Sequence, residues 1–296
     1  MRVLIMGGSG MLGHKLSQLF RERFDTWATV RGHGAAYARY GIFERERTLG
    51  GIDAGNFDTV VRAVASVRPD VVVNAIGIVK QLPAARDPIL SLTINSLFPH
   101  RLASLCQAAG ARLIHVSTDC VFSGRKGGYV ESDISDAEDL YGRTKFLGEV
   151  IEPGCLTIRT SIIGRELNSS NGLVEWLLGN RGRRVNGFTE AIFSGLTTNR
   201  LAHTLADIVA NHSGLSGLYH VSSQPISKHG LLCLIRDAYG AHIEIDPIEG
   251  PRCDRSLDSG SFRRATGIVP ASWPEMIQEM AEDPIPYDSW RAQSGS

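Results

Sequence analysis

The chain has 296 residues, of which 43% are hydrophobic and 21% are charged, as in ordinary soluble globular proteins. Its 31 basic residues balance 31 acidic ones, which argues against a general binder of nucleic acid or of anionic membranes. No apolar run approaches the ~20 residues of a spanning helix, no secretory signal is recognisable, and the five cysteines are scattered. We therefore expect a cytoplasmic protein with reduced thiols.

The first half of the chain alternates predicted strands with predicted helices. The strands are predicted at 2–6, 26–30, 70–74, 112–117 and 156–159, and the helices at 11–23, 56–67, 91–109 and 139–150. Several of the strands are continuously apolar, as expected for strands that are buried on both faces. The pattern predicts an α/β protein with a doubly wound parallel sheet.

The alternation becomes irregular after about residue 163. Further helices are predicted near 173–178 and at 200–211, and a late strand at 217–222 is predicted to return to the sheet. We expect residues 1–165, together with 191–222, to form a dinucleotide-binding domain. Residues 166–190 and 223–296 are expected to form a smaller α/β substrate-binding lobe.

A glycine-rich turn directly follows the first strand. Four glycines within residues 7–13 give both G-x-G-x-x-G and G-x-x-G-x-x-G spacing between a strand and a helix. Glycine lets the backbone turn tightly and approach a pyrophosphate, whose charge meets free N–H groups at the helix N-terminus. This context predicts a dinucleotide site rather than an unliganded turn. The predicted cofactor contacts here are Gly7, Ser9, Gly10, Met11, Leu12 and Gly13.

The end of the second strand favours NADP(H). Related folds that bind NAD carry an acidic residue about 20 positions beyond the glycines, whereas a basic residue accommodates the 2′-phosphate of NADP. Arg31 lies in this region, and no carboxylate follows before Glu44. We predict NADP(H) as the preferred cofactor, with NAD(H) tolerated. Asp53 is a candidate adenine contact or, alternatively, only a cap for helix 56–67.

Three side chains form the predicted catalytic group. Tyr141 and Lys145 are four residues apart and share one face of helix 139–150. We expect the Lys145 ammonium, with the positive ring of an oxidised nicotinamide, to lower the phenol pKa from its usual ~10. Thr118 ends the preceding strand, where ligands bind in such sheets. The three groups can converge on one carbonyl oxygen while hydride arrives at its carbon.

These motifs resemble those of the extended short-chain dehydrogenase/reductases, and within them the dTDP-4-dehydrorhamnose reductase family. The matching segments are 7–13, Asn74-Ala75, Asn95, 117–124, 141–149, 158–160 and 255–258. The resemblance spans nearly the whole chain and is thinner in the second lobe. It implies a Rossmann fold and reduction of a 4-keto-6-deoxy nucleotide sugar by NADPH. Tyr141 would donate the proton, Lys145 would tune it and hold ribose, and Thr118 would orient the keto group.

The resemblance also extends the set of candidate ligand contacts. For the cofactor these are Ala75, Gly77, Asn95, Ser117, Tyr141 and Lys145; for the substrate they are Lys80, Thr118, Asp119, Cys120, Trp176, Arg252 and Arg255. The arginines, with Arg200 behind them, would face the sugar nucleotide's pyrophosphate. Trp176 would stack on the base, or would instead belong to the core. Helices 91–109 and 139–150 are those that relatives pair in a homodimer, and no carboxylate cluster requires a metal.

Three other functions were weighed. Sugar 4,6-dehydratases carry Asp then Glu at this strand end, but here Asp119 is followed by Cys120, so dehydration is disfavoured. Cys120 lies two residues after Thr118, as in GDP-fucose synthase, which leaves an epimerase-reductase open. That enzyme needs a histidine acid, and the nearest candidate, His203, is expected outside the pocket. A third alternative is an NADP-binding regulatory subunit, like the β subunit of methionine adenosyltransferase.

Overall fold

A seven-stranded parallel sheet dominates the computed structural model, which describes residues 1–292. Across the sheet the order is β11 (Gly217–His220), β6 (Cys155–Thr160), β5 (Arg112–Thr118), β4 (Val71–Asn74), β1 (Arg2–Met6), β2 (Asp25–Thr29) and β3 (Thr48–Leu49). Every neighbouring pair runs parallel. The predicted doubly wound α/β fold is confirmed.

Helices connect and cover these strands. They are α1 (Met11–Phe20), α2 (Phe57–Val67), α3 (Pro88–Ser91), α4 (Phe98–Ala109), α5 (Leu140–Leu147), α6 (Leu173–Leu178), α7 (Thr198–Asn211), α8 (Lys228–Ala238), α9 (Gly260–Thr266), α10 (Trp273–Ala281) and α11 (Tyr287–Ala292). Within residues 1–292, no helix combines the length and apolarity needed to cross a bilayer.

The helix predicted at 91–109 is interrupted by a π-helical segment, Leu92–Leu97, between α3 and α4. Pro99 explains the interruption, because proline has no N–H to donate to the carbonyl of Asn95 four residues earlier. The N–H of Phe98 instead bonds the carbonyl of Thr93, five residues back. The Asn95 carbonyl is then free to pack against Gly148, where a Cβ would lie 1.9 Å from its oxygen.

Short strands lie outside the large sheet. β7 (Ile162–Ile163) pairs with β10 (Leu196–Thr197), β9 (Ala191–Phe193) lies between β12 (Ile226–Ser227) and β14 (Cys253–Asp254), and β8 (Arg184–Phe188) pairs with β13 (Glu244–Ile248). The chain returns to the large sheet through α7 and β11. The β9 strand, although it lies within 191–222, pairs with strands of the second lobe.

The large sheet is buried on both faces. Along β1, Val3 and Ile5 belong to one apolar cluster, whereas Leu4 and Met6 belong to another, as the period-two geometry of a strand requires. The first cluster continues into the second lobe through residues such as Leu231 and Met276. Because both faces are covered, a ligand can approach the sheet at its carboxyl edge.

Candidate active site

The glycine turn between β1 and α1 leaves no room for side chains at two of its positions. Gly7 has a φ of 84°, a left-handed conformation that favours glycine. A Cβ on Gly13 would lie 2.0 Å from the carbonyl oxygen of Gly7. The N–H groups of Gly7 and Gly8 donate to the Oγ1 and carbonyl oxygen of Thr29, at 3.1 and 2.7 Å. The end of β2 therefore fixes the turn in place.

Three predicted cofactor residues lie beside this turn, after β4. A Cβ on Gly7 would meet Ile76 Cγ1 at 2.9 Å and the carbonyl carbon of Ala75 at 3.4 Å. Gly77 faces the side-chain oxygen of Asn95. The amide of Asn95 accepts from Ile78 N at 2.8 Å and donates to Ile78 O at 3.1 Å. Asn95 thus holds the 75–78 loop against the glycine turn.

The two residues predicted to contact the adenosine half of the cofactor are both exposed. Arg31 lies in the loop after β2. The Asp53 carboxylate accepts from Gly55 N at 3.0 Å, and its carbonyl accepts from Asn56 N at 3.0 Å. These bonds are those of a turn leading into α2, whose capping position is Asn56. For Asp53 the contacts agree with the alternative of a local helix-start role.

Thr118 and Tyr141 are brought together at the carboxyl end of β5. The hydroxyl of Thr118 donates to Asp119 Oδ1 at 3.1 Å and accepts from Cys120 N at 3.1 Å. Tyr141, in the first turn of α5, lies close enough to Thr118 for the Thr118 side chain to act on the pKa of its phenol. The Asp139 carboxylate caps α5 by accepting from Gly142 N at 2.7 Å. This cap fixes the start of the helix that carries the phenol.

The pKa of Tyr141 is raised in the protein without cofactor. Burial is the main cause, followed by the neighbouring Cys120, while the Thr118 side chain acts in the opposite direction. That Lys145 and a bound nicotinamide together lower this pKa stays a prediction. The ammonium of Lys145 is directed elsewhere, since its Nζ donates to Val116 O at 2.8 Å. Burial lowers the pKa of Lys145 to about 8, with Glu149 opposing the shift.

A buried polar network lies beneath the catalytic group, and the sequence analysis did not find it. Ser117, a predicted cofactor contact, donates its hydroxyl to Glu149 at 2.7 Å. Arg159 binds both oxygens of Glu149, at 2.8 and 2.7 Å. His220 Nε2 lies 3.3 Å from Arg159 Nη1, and its Nδ1 lies 3.0 Å from Tyr129 O. In the sequence, the one sign of this network is that Glu149 follows Lys145 by four residues.

The predicted substrate residues Asp119 and Cys120 lie beside two cations. Burial raises the pKa of Asp119, and Arg255 acts against that shift. Burial and then the Asp119 carboxylate raise the pKa of Cys120 to about 12. Arg255 donates Nε to Phe122 O at 2.7 Å, and Lys80 is close enough to lower the pKa of both acidic groups. Arg255 and Lys80 therefore lie at the same end of β5.

The remaining predicted substrate contacts differ in their surroundings. Trp176 on α6 is 41% exposed, so the alternative that it belongs to the core is wrong. Arg252 is exposed next to β14. Arg200 Nη2 pairs with Glu279 Oε2 at 3.1 Å, between α7 and α10, and its place behind Arg252 and Arg255 stays a prediction.

Comparison with known proteins identifies the family. The RmlD substrate binding domain family matches residues 1–284. The chain belongs to this family. The dTDP-4-dehydrorhamnose reductase of Aggregatibacter actinomycetemcomitans is 25% identical, over 94% of this chain and 98% of that protein. Methionine adenosyltransferase 2 subunit beta of Danio rerio is 26% identical, over 80% of this chain and 74% of that protein.

A solved structure shows the same fold. The dTDP-4-dehydrorhamnose reductase of Bacillus anthracis, in complex with NADP, superimposes with a TM-score of 0.77 at 22% identity, over 94% of this chain and 98% of that one. The predicted family and fold are thus confirmed. Membership of the RmlD family places the chain in the class of NAD(P)-dependent oxidoreductases of the extended short-chain dehydrogenase/reductase type.

Proposed function

We propose that the protein uses NADPH to reduce the 4-keto group of a 6-deoxy sugar carried on a nucleotide. The hydroxyls of Thr118 and Tyr141, which are neighbours at the carboxyl edge of the sheet, carry this proposal. Two hydroxyls at one place can both bond a single carbonyl oxygen. The family relatives named as dTDP-4-dehydrorhamnose reductases support the class of substrate.

The chain's own residues fit a dinucleotide. The glycines let the turn pack closely on itself, because a Cβ on Gly13 would lie 2.0 Å from the carbonyl oxygen of Gly7. Gly10, at the N-cap of α1, has no side chain to cap the first N–H groups of the helix, which can then bind a phosphate. Arg31, exposed at the end of β2, suits the 2′-phosphate that distinguishes NADP from NAD. When bound, the cofactor would supply the hydride.

Tyr141 acts as the proton donor. Reduction of a ketone adds a hydride to carbon and a proton to oxygen, so the donor must carry its proton at neutral pH. The raised pKa of Tyr141, caused by burial, keeps the phenol protonated. Thr118 donates a second hydrogen bond to the same oxygen, and Lys145, one helical turn away, holds ribose and returns a proton to the phenolate. The product is the 4-hydroxy sugar.

Cations from both predicted lobes bind the sugar nucleotide's pyrophosphate. Arg255 and Lys80 lie beside Asp119, close to the catalytic hydroxyls. Arg252, directly before β14, adds an exposed charge. Exposed Trp176 offers a ring face for the base.

Two alternatives are less well supported. An epimerase-reductase needs a thiolate base and a histidine acid, yet the pKa of Cys120 is raised to about 12. His203, on α7, pairs with Glu279 on α10. The two ring nitrogens of His220 face Arg159 and the Tyr129 carbonyl beneath the site. The second alternative, a regulatory role, rests on the similarity to methionine adenosyltransferase 2 subunit beta.

The test is the loss of NADPH absorbance with a panel of dTDP-, UDP- and GDP-linked 4-keto sugars, for the wild type and Tyr141→Phe. We expect oxidation by at least one sugar nucleotide with the wild type and nearly none with the variant. Binding of NADPH without oxidation by any of the panel would favour the regulatory role instead.

The relatives' mode of assembly suits the surface of this chain. Exposed apolar side chains are grouped on α3, the π-helical segment and the end of α5: Ile89, Leu92, Leu97, Phe146, Leu147 and Ile151. An apolar patch of this kind is typical of a protein–protein interface. We infer a cytoplasmic homodimer in which α4 and α5 of two copies pair across this patch.

A further inference from the structure

Residues 283–291, which follow α10, pack against the start of α1; we name them the clamp segment. The family match ends at residue 284, so most of this segment lies beyond what the family match covers. It contacts α1 through Asp283 and Tyr287, the loop after β7 through Arg291, and the 3-10 helix Gly34–Tyr40 through Trp290. The clamp segment therefore connects the helix that follows the glycine turn with residues of the predicted substrate-binding lobe.

Tyr287 contacts the glycine turn through one histidine. His14 on α1 is fully buried, and its Nδ1 lies 2.9 Å from the carbonyl oxygen of Gly10. A carbonyl oxygen can only accept a hydrogen bond, so Nδ1 of His14 carries the proton. Nε2 then accepts a hydrogen bond from the Tyr287 hydroxyl, 2.8 Å away. Burial, and next the charge of Lys15, lower the pKa of His14 to about 3, so the ring stays neutral. Tyr287, His14 and Gly10 thus form one hydrogen-bonded chain.

A buried ion pair fastens the beginning of the clamp segment. Lys15, the next residue on α1, binds the carboxylate of Asp283, and the two side chains are only 1% and 3% exposed. Asn199 donates to the same carboxylate at 2.8 Å. Ile285 N donates to its other oxygen at 3.1 Å. Both charges are accordingly hydrogen-bonded as well as paired.

The rest of the segment is tied to the second lobe. Arg165 binds Asp288, and its guanidinium lies 4.8 Å from the centre of the Tyr287 ring. Arg291 donates to the carbonyls of Glu166 and Ser169, at 2.7 and 2.8 Å. The segment cannot move away from α1 without breaking these contacts too.

We propose that the clamp segment positions the glycine turn for dinucleotide binding, with Tyr287 acting on Gly10 through His14. This inference rests on the proposed NADP(H) binding. Gly10 precedes α1, and the direction of its carbonyl fixes the peptide planes that present the following N–H groups to a pyrophosphate. A turn held in the binding conformation loses less entropy when the ligand binds. By linkage, a bound dinucleotide must in return stabilise the clamp segment.

The test compares Tyr287→Phe with Tyr239→Phe. Tyr239 is a matched control, because its hydroxyl donates to Met280 O at 3.1 Å and its ring also lies near Arg165. We expect Tyr287→Phe to weaken NADPH binding about 5- to 10-fold, the factor for one lost hydrogen bond, with kcat at saturating NADPH unchanged. Tyr239→Phe should lower thermal stability similarly and leave NADPH affinity unchanged. Equal NADPH affinities in both variants would overturn the proposal.

Hydrogen exchange gives a readout that needs no turnover. Without cofactor, Tyr287→Phe should speed the exchange of amides in residues 10–15, whereas Tyr239→Phe should not. With NADP added to the wild type, amides in 283–291 should become more protected. If the wild type binds no dinucleotide, the proposed function fails. The exchange of the amide hydrogens in residues 10–15 then decides by itself whether the clamp segment holds the turn. Unchanged exchange there would overturn it.

A milder variant covers the case in which Tyr287→Phe does not fold. The Asp288 carboxylate is 64% exposed, and it binds Arg165 without touching α1. Asp288→Ala should therefore fold and loosen the segment partially, weakening NADPH binding about 2- to 3-fold, as expected for one partly exposed ion pair. NADPH affinity equal to the wild type would contradict the clamp.

Discussion

A Cβ on Gly142 would lie only 2.2 Å from the carbonyl oxygen of Cys120. The first turn of α5 therefore reaches the end of β5 only because residue 142 has no side chain. This close approach is what brings the phenol of Tyr141, the preceding residue, to the hydroxyl of Thr118.

Gly142→Ala should consequently displace the phenol and lower kcat by about 10²-fold, the usual effect of a shift near 1 Å at a reacting group. Steady-state kinetics at saturating NADPH checks this. Gly230→Ala on α8 is the control, because its nearest neighbours would be at an ordinary 3.4 Å. A Gly142→Ala enzyme with wild-type kcat would show that the close approach does not position Tyr141.

Removal of the proton donor should leave cofactor binding intact. Tyr141→Phe keeps the ring and loses the hydroxyl, so we expect kcat to fall about 10²- to 10⁴-fold, as for loss of a general acid. NADPH affinity, measured by titration of protein fluorescence, should stay within twofold. A large loss of affinity with little change in kcat would assign Tyr141 to cofactor binding instead.

Stability should depend on pH through Lys145. Its pKa is lowered by burial from its ordinary 10.5 to about 8 in the folded protein. Between these values the unfolded chain binds the proton and the folded protein does not, so this group adds stability as the pH rises from about 8 to 10. Urea unfolding of the wild type and of Lys145→Met at both ends of that pH range tests the direction of the change in stability. The wild type should gain stability relative to the variant at the higher pH, and a relative loss would contradict the assigned shift.

The buried pair of Lys15 and Asp283 should be costly to break from one side. Asp283→Ala leaves a buried ammonium unpaired, so we expect a loss of about 3 to 5 kcal/mol in the free energy of unfolding. The double variant Lys15→Met/Asp283→Leu should recover much of it. Arg184→Ala breaks an exposed pair with Glu244 and should change stability little. A similar small effect at Asp283 would mean that its pair is solvated.

The proposed homodimer should depend on the apolar patch on α3, the π-helical segment and the end of α5. Leu97→Glu places a charge in that patch and should give a monomer by light scattering after size-exclusion chromatography. Ile134→Glu is the control, because Ile134 is 87% exposed in the loop before α5. A dimer that persists in Leu97→Glu would move the interface elsewhere.

Local patterns predicted the fold well, because β1, the glycine turn and α1 are each encoded within a few residues. The break at Leu92–Leu97 was missed, although Pro99 carries its cause. The proposed catalytic residues were chosen from their motifs, whereas their electrostatic surroundings could not be predicted in that way. Whether Lys145 faces Tyr141 or the Val116 carbonyl depends on how α5 packs on β5. The pairing of Arg159 with Glu149 joins two segments whose relative position is set only when the chain folds.

The central claim is that hydride reaches a sugar carbon while Tyr141 supplies the proton to its oxygen. NADPH deuterated at the transferable position, incubated with a 4-keto sugar nucleotide, tests it by NMR or mass spectrometry of the product. The account predicts one deuterium at C4 of the sugar with the wild type and hardly any product with Tyr141→Phe. Product without deuterium at C4, or equal labelling by the variant, would contradict it.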